Sequence, residues 1–419
     1  MKEISAPSIM YIDSAYTFKI VQEKKHYHFF EMRHSSGFFE RVWGVHPLAD
    51  LGGSASRKIE TFQFSPKQTI IEGVAQARGW RGLLMPVDFA LSQLALLRLL
   101  IRVVRTNEIS VILATDAVYS GLLGLSLKFI TRTPLVVGIY ANYELAYKSF
   151  GYLAARRLLP WYWLQELVSK HVVRKADFVV AGNQNNLDWA LARGVPPARG
   201  AVITFARNVQ DCHFSDPTGR GPPDAIFARY NIPLDRRYMI MISRLIPVKF
   251  AEDGVRAMIA VAERDPQAVG ILAGDGPLRS GLEQLVRDHG LEKRVIFTGG
   301  ISQDDLSRIV PHCITISPLT GMALVEAGLA GSPAVVYDAD WQAEFVKDGM
   351  NGYVVPMGDS GRMAEKVLAL MDDEALRARL STAMRAIAVN WADPAKILKI
   401  ERDVFARVIK HNGRERHVG

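Results

Sequence analysis

The chain has 419 residues, 49% of them hydrophobic and 22% charged, an ordinary globular balance with enough length for two domains and two cores. Its two cysteines, Cys212 and Cys313, exclude a disulfide framework and show no metal-ligand spacing, so a reducing, cytoplasmic compartment is expected. The formal charge of +8 lies wholly in the first half, where residues 1–208 carry 25 Lys/Arg against 15 Asp/Glu while the remainder carries 26 against 28. In chain order, short apolar runs predict strands over 8–13, 27–32, 111–115, 135–139, 178–182 and 201–204, with helices between them over 89–106, 120–131 and 163–175. The second half repeats the alternation: strands over 238–242, 269–273, 295–298, 314–317 and 334–337, and helices over 251–264, 277–289, 323–330 and 362–370. From Trp391 the chain reads as helical, with Ile397, Ile400, Val404, Phe405 and Val408 on its apolar side.

Strands alternating with helices predict parallel sheets, hence an α/β fold of two doubly wound domains with ligands at the carboxyl ends of the strands. The Pro- and Gly-rich run DPTGRGPP over 216–223 marks exposed coil between the halves. The domain reading is 1–208, an acceptor-binding domain, then 209–390, a donor domain, then 391–419, a helical segment packing back on the first domain. The N-terminus lacks a basic region followed by an apolar stretch, so no secretory signal is expected. No uncharged apolar run approaches a membrane span, the longest lying at 117–127 and 134–143.

Three clusters in the second half carry chemistry, each following a predicted strand. Arg244 and Lys249, in ISRLIPVK, stand where a planar fork and a mobile point charge suit a diphosphate; as isolated residues they would read better as solvated surface cations. Gly274, Asp275 and Gly276 open a helix at a turn where glycine permits positive φ and close approach, and free amides there can hold an anion. Thr320 and Gly321 precede a third helix whose first amides, at Met322, Ala323 and Leu324, are free for phosphate. One turn in, Glu326 can accept both hydroxyls of a ribose, and among Leu324, Val325, Ala327 and Leu329 a carboxylate needs a partner.

Taken in order, Arg244…Lys249, the AGDGP turn, VIFTG at 295–299 and the Glu326-Ala327…GSPAVV run resemble the donor domain of glycosyltransferase family 4, a retaining group with the GT-B fold of two facing Rossmann-like domains. Asn208-Val209-Gln210-Asp211…Phe214 resembles that family's link into the donor domain, and Gly352-Tyr353-Val354-Val355 its NG-hydrophobic turn. The likeness covers about 205–405 well and the first half only through a weaker strand pattern. It implies that Arg244 and Lys249 bind the donor diphosphate and neutralise charge as it leaves. It also implies that Glu326 holds the ribose, that amides around Gly321–Leu324 cap the phosphate, and that backbone near Phe297, Thr298 and Gly299 contacts the base. The donor expected by family frequency is a UDP-sugar, with GDP-sugar as the other choice; no metal or further cofactor is called for.

Three departures stand out. The family's usual glutamate eight positions before Glu326 is Pro318, the glycine-rich loop after the first strand is replaced by Asp13-Ser14-Ala15-Tyr16-Thr17, and the histidine of the N-domain cleft has no match. Asp116 and Glu144 are the polar candidates for that side, Asp116 as a catalytic group, although each reads as well as a cap of a helix or turn. Retention of Arg244, Lys249 and Glu326 favours an active enzyme over a degenerate relative. On the acceptor side, Arg98, Arg102 and Arg105 share one face of the helix over 89–106, and Arg156 to Leu164 mixes basic and interfacial aromatic residues. Together with the basic first half these favour contact with an anionic membrane surface and a saccharide or lipid-linked saccharide acceptor, over the bland reading of core leucines beneath snorkelling arginines. A nucleotide-sugar epimerase on the same fold is the alternative enzyme class; a nucleic-acid partner is disfavoured, because no binding motif or interleaved aromatic platform is present.

Overall fold

The computed structural model describes residues 6–14, 17–23, 27–52, 56–154, 156, 158–217 and 223–418. Ala15, Tyr16, Arg157 and most of the Pro/Gly run (218–222) therefore lie outside the described residues. The chain divides into two compact units: one runs to Tyr147, resumes over Gly151–Asn208 and is completed from Ala395 on, and the other holds Lys148–Phe150 and Val209–Pro394.

The first unit is an eight-stranded sheet. Its strands are β1 (Ser8–Ile12), β2 (Arg41–His46), β3 (Glu60–Ser65), β4 (Gln68–Glu72), β5 (Val111–Ala114), β6 (Leu135–Ile139), β7 (Phe178–Ala181) and β8 (Gly200–Val202), in the order β3-β4-β2-β1-β5-β6-β7-β8. All neighbours are parallel except the β3–β4 edge. Strands such as SIMYI and LVVGI are buried along their whole length, because helices cover both faces of a parallel sheet and neither set of alternate side chains meets water. The helices are α1 (Phe18–Glu23), α2 (His28–Glu31), α3 (Met85–Thr106), α4 (Tyr119–Thr131), α5 (Tyr143–Phe150), α6 (Tyr162–Lys175) and α7 (Gln184–Ala192).

The second unit has strands β9 (Arg237–Ile242), β10 (Ala268–Ala273), β11 (Val295–Gly299), β12 (Cys313–Ser317), β13 (Ala334–Tyr337) and β14 (Gly352–Val355), all parallel, in the order β11-β10-β9-β12-β13-β14. That is the doubly wound 3-2-1-4-5-6 arrangement, with its strand-order reversal between β9 and β12. In the first unit the reversal falls between β1 and β5. Around the second sheet lie α8 (Asp224–Arg229), α9 (Ala251–Arg264), α10 (Arg279–Asp288), α11 (Gln303–Ile309), α12 (Met322–Leu329), α13 (Gln342–Phe345), α14 (Ser360–Asp372) and α15 (Glu374–Trp391). The last helix, α16 (Pro394–Val418), passes into the first unit from Ala395, where Phe405 meets Phe39 edge to face at 5.1 Å and Arg402 donates to the carbonyls of Ser35 and Ser36.

Three expectations need correction. The strand expected at 27–32 is α2 followed by a 3-10 turn, because the amides of Phe30 and Glu31 both bond back to the Tyr27 carbonyl. Phe30 is then carried into an aromatic cluster with Phe18 and Phe64, and the strand of this region is β2 instead. The turn expected at Gly352 is the edge strand β14, paired to β13. Finally, the segment 82–106 forms a helix long and apolar enough, by length and composition, to cross a membrane. Counting only uncharged runs hid it, since Asp88 and the arginines interrupt the count without interrupting the helix.

Candidate functional site at the carboxyl ends of the second sheet

β9 ends at Ile242 and the chain turns through Ser243 and Arg244, with buried Leu245 anchoring the loop. The loop is fastened to the neighbouring 274–276 turn by backbone bonds: Ser243 N–H to Ala273 O at 3.0 Å, Leu245 N–H to Asp275 O at 2.9 Å, and Leu278 N–H to Leu245 O at 3.1 Å. This approach is why glycines stand there. A Cβ on Gly274, whose φ is +148°, would lie 1.9 Å from the Ser243 carbonyl oxygen, and one on Gly276 would lie 2.4 Å from that of Leu245. The glycines therefore allow the Arg244 loop to seat against this turn. Asp275 is committed as well, accepting from the Gly276 amide at 2.7 Å and from Arg279 Nη1 at 3.0 Å. Arg279 also reaches the Phe297 carbonyl at 3.4 Å, the Thr298 hydroxyl bonds the Leu272 carbonyl at 3.1 Å, and Gly299 O accepts from Gly274 N–H at 2.8 Å. Phe297, Thr298 and Gly299 thus form a half-buried shelf beside the turn.

Arg244 is exposed and makes no ion pair among the described residues. Lys249, at the end of a 3-10 turn, is half-buried, and its ammonium is pushed below its ordinary range by burial and then by the nearby charge of Arg244, partly offset by Asp340. Two cations close enough to repel, neither in an ion pair among the described residues, fit an anionic ligand.

Beyond the paired strand β12, the loop Ser317–Thr320 is wholly buried. The Gln342 side chain, itself fully buried, holds it from below, with Nε2 donating to the carbonyls of Ser317 at 2.7 Å and Pro318 at 2.8 Å. Pro318 is packed inward, its ring 3.5 Å from where a Cβ on Gly254 of α9 would lie, so this position offers a ligand no side chain. Thr320 also turns inward, its hydroxyl bonded to that of Ser317, and the Leu324 amide already bonds Gly321 O at 3.1 Å. No side chain caps α12 after Gly321, which leaves Met322 and Ala323 to present its N-terminus. Glu326 is 4% exposed, its carboxylate has no hydrogen bond among the described residues, and burial lifts its pKa to about 7. Nearby sits half-buried Cys212, raised by burial and by the charges of Asp304 and Glu326. Gln342 and Cys212 are the neighbours that sequence reading missed, since each comes to the site through distant chain.

At the first unit's strand reversal the picture differs. Asp116 Oδ1 accepts the amides of Val118 at 2.8 Å and Ser120 at 3.1 Å, and Oδ2 accepts from the Ser14 hydroxyl at 3.0 Å. Its carboxylate caps the start of α4, the structural role that the sequence also allowed for it. Asp13 pairs with the buried Arg33 at 3.2 Å, and His46 meets Glu72 at 3.3 Å, where Glu72 also takes the Phe18 amide at 2.7 Å. The Tyr143 hydroxyl is held protonated by burial and by the charge of Asp116. Glu144 pairs with Arg193 at 3.3 Å, and the Tyr140 ring lies over Gly138 and Gly182. Arg98, Arg102 and Arg105 are exposed on α3, and Trp161 and Trp163 are exposed with their rings stacked 6.2 Å apart.

Comparison with known proteins follows the same division. A "Glycosyl transferase 4-like domain" matches residues 61–206 and "Glycosyl transferases group 1" matches residues 223–386. The chain is 28% identical over 261 residues to the alpha-D-kanosaminyltransferase of Streptomyces kanamyceticus, covering 60% of this chain and 65% of that one. It is 27% identical over 171 residues to a GDP-mannose-dependent alpha-(1-6)-phosphatidylinositol monomannoside mannosyltransferase of Mycobacterium tuberculosis, covering 38% and 44%. The chain thus spans 65% or less of the length of these relatives. Among solved structures, Anabaena HepE in complex with UDP superposes with a TM-score of 0.69 at 19% identity, covering 96% of this chain and 100% of that one. The sucrose-phosphate synthase of Thermosynechococcus elongatus gives 0.70 at 16% identity with the same coverage. At such identities the likeness establishes the fold, GT-B.

Proposed function

Since this chain belongs to the group 1 glycosyltransferases of GT-B fold, we propose that it moves a sugar from a nucleoside diphosphate sugar to a saccharide or lipid-linked saccharide, with retention of configuration. The observation that carries the reading is that two mutually repelling cations follow one strand, and a buried carboxylate without a hydrogen bond among the described residues follows the strand paired to it. A nucleoside diphosphate supplies both complements: a diphosphate for Arg244 and Lys249, and two ribose hydroxyls that donate to Glu326.

Chemistry follows from that placement. As the bond from the anomeric carbon to the diphosphate oxygen breaks, negative charge grows on the diphosphate, where Arg244 presents its planar fork and Lys249 its ammonium. The N-terminus of α12 adds the partial positive charge of its amides. The acceptor hydroxyl then forms the new glycosidic bond on the face the leaving group vacates, and its proton passes to the departing diphosphate. Pro318 offers no acceptor to the sugar, so its hydroxyls are read by other groups. The donor nucleotide is UDP, with GDP as the other choice, and the work is done in the cytoplasm.

Calorimetric titration with UDP-, GDP- and ADP-sugars tests the site. One class binding in the micromolar range, weakened by both Arg244→Ala and Glu326→Ala, supports the reading and selects the base. If none of the three binds, the donor site is not functional and the proposal falls. Product analysis without acceptor separates transfer from epimerisation, since an epimerase converts its nucleotide sugar unaided.

A further inference from the structure

From Trp80 to Val87 every residue is exposed, and the segment reads WRGLLMPV. Leu83 is 97% exposed, and Trp80, Leu84, Met85 and Val87 each show more than a third of their surface. So concentrated an apolar surface is costly to leave in water and marks an interaction site. The segment is also built to stay out. Asp88, fully buried, accepts the amides of Arg78 and Trp80, each at 3.1 Å, and Ser92 accepts that of Ala77 at 3.0 Å. Gly79 and Gly82 turn the chain at φ of +66° and +61°, which side chains beyond glycine rarely adopt.

α3 continues the same surface. Its buried stripe is Asp88, Ser92, Leu96, Leu100 and Val104, packed into the first unit, so the helix lies against the protein and does not span a bilayer. On the opposite stripe, at helical spacing, come Val87, Leu91 and Leu94, then Arg98, Arg102 and Arg105, all exposed. Between residues 73 and 107 the only acidic residue is Asp88, which is buried and committed to the loop; the next, exposed Glu108, lies beyond Arg105, so Arg98 and Arg102 have no acidic neighbour along the helix.

We propose that this face, the 80–87 loop with the outer stripe of α3, docks on an anionic phospholipid surface. The loop and the first two turns enter the interfacial layer while Arg98, Arg102 and Arg105 rest against lipid phosphates. The loop leaves the carboxyl end of β4, the same sheet edge that carries Asp13 and Asp116 after the parallel strands β1 and β5. Docking therefore brings the headgroup plane to the edge where the acceptor is expected. That consequence rests on the transferase reading; the docking itself does not.

Flotation of the full chain with phosphatidylcholine vesicles, with and without about 30 mol% phosphatidylglycerol, tests it. Wild type floats with the anionic vesicles and less so in high salt. Leu83→Asp/Leu84→Asp lowers partitioning about tenfold or more at unchanged melting temperature and UDP-sugar affinity, and Arg98→Glu/Arg102→Glu lowers both partitioning and its salt dependence. Wild type that stays behind, or a double aspartate variant that floats like wild type, overturns the proposal. So does a lipid-free dimer, seen by sedimentation velocity, that Leu83→Asp/Leu84→Asp makes monomeric, since the face then belongs to a second copy. Arg244→Ala protein floats normally, which keeps loss of the donor site distinct from loss of docking.

Discussion

The strand reversals of the two units hold similar residue types in opposite states. In the first, carboxylates at the strand ends are satisfied: Asp13 by Arg33, Asp116 by two amides and a hydroxyl, Glu72 by His46 and the Phe18 amide. In the second, Arg244 and Lys249 repel each other with only a partial offset from Asp340, and Glu326 is buried without a hydrogen bond among the described residues. A satisfied charge at a strand end is scaffold; an unsatisfied one is kept at a cost to stability, and a ligand is the plain reason to keep it.

The contrast can be broken most forcefully at Arg244. Arg244→Ala is expected to lower turnover about 10²–10³-fold with little change in melting temperature, since an exposed side chain is removed from a transition-state contact. Steady-state rates with the selected donor check this, and a change below threefold would make Arg244 a surface cation.

Glu326 comes next, and its sign is definite. Its folded pKa, about 7, is raised above the ordinary 4.5, so between those values the folded protein keeps a proton that the unfolded chain releases. Stability of the ligand-free protein therefore falls as pH rises through that window, by about 3 kcal/mol at most. Glu326→Gln removes the penalty. Its melting temperature should exceed wild type at pH 8 and converge on it toward pH 4.5, while UDP-sugar affinity drops about 10–100-fold. A variant less stable than wild type at pH 8 would mean that the carboxylate already has a partner.

The smallest effect belongs to the first unit. Asp116→Ala should cost about 1 kcal/mol through the lost helix cap and leave donor affinity unchanged. A thousandfold loss of rate without loss of stability would restore Asp116 as a catalytic group and erase the contrast.

What the sequence made legible follows from how local each signal is. The strands of the second sheet are short apolar runs, three of them (β10, β12 and β13) buried throughout, and the reading placed five of the six within a residue or so of their ends. β14 was passed over because a glycine and the three residues after it read as a turn until β13 is present to pair with them. The 27–32 segment misled because its aromatics look strand-forming, whereas Tyr27 closes a helical turn and Phe30 packs into a cluster assembled from α1 and β3. The Gly274–Gly276 turn was visible as a turn, but its close approach to the carbonyls of Ser243 and Leu245 was not. Gln342 left no sign at all, since its task is to hold two carbonyls across the sheet. The exposed loop before α3 was invisible for a related reason: hydrophobic residues look like core until a structure shows that nothing covers them.

The passage of α16 into the first unit also bears on how the chain comes to be assembled. The second unit is drawn almost wholly from one continuous stretch, Val209–Pro394, whereas the first takes in the chain from Ala395 on, where Val404, Phe405 and Val408 are buried and Phe405 packs on Phe39. On a ribosome, the part made first must wait with an open seam for the part made last, while the middle of the chain already holds nearly everything it needs to fold. Order of synthesis and order of completion are thus reversed in this molecule.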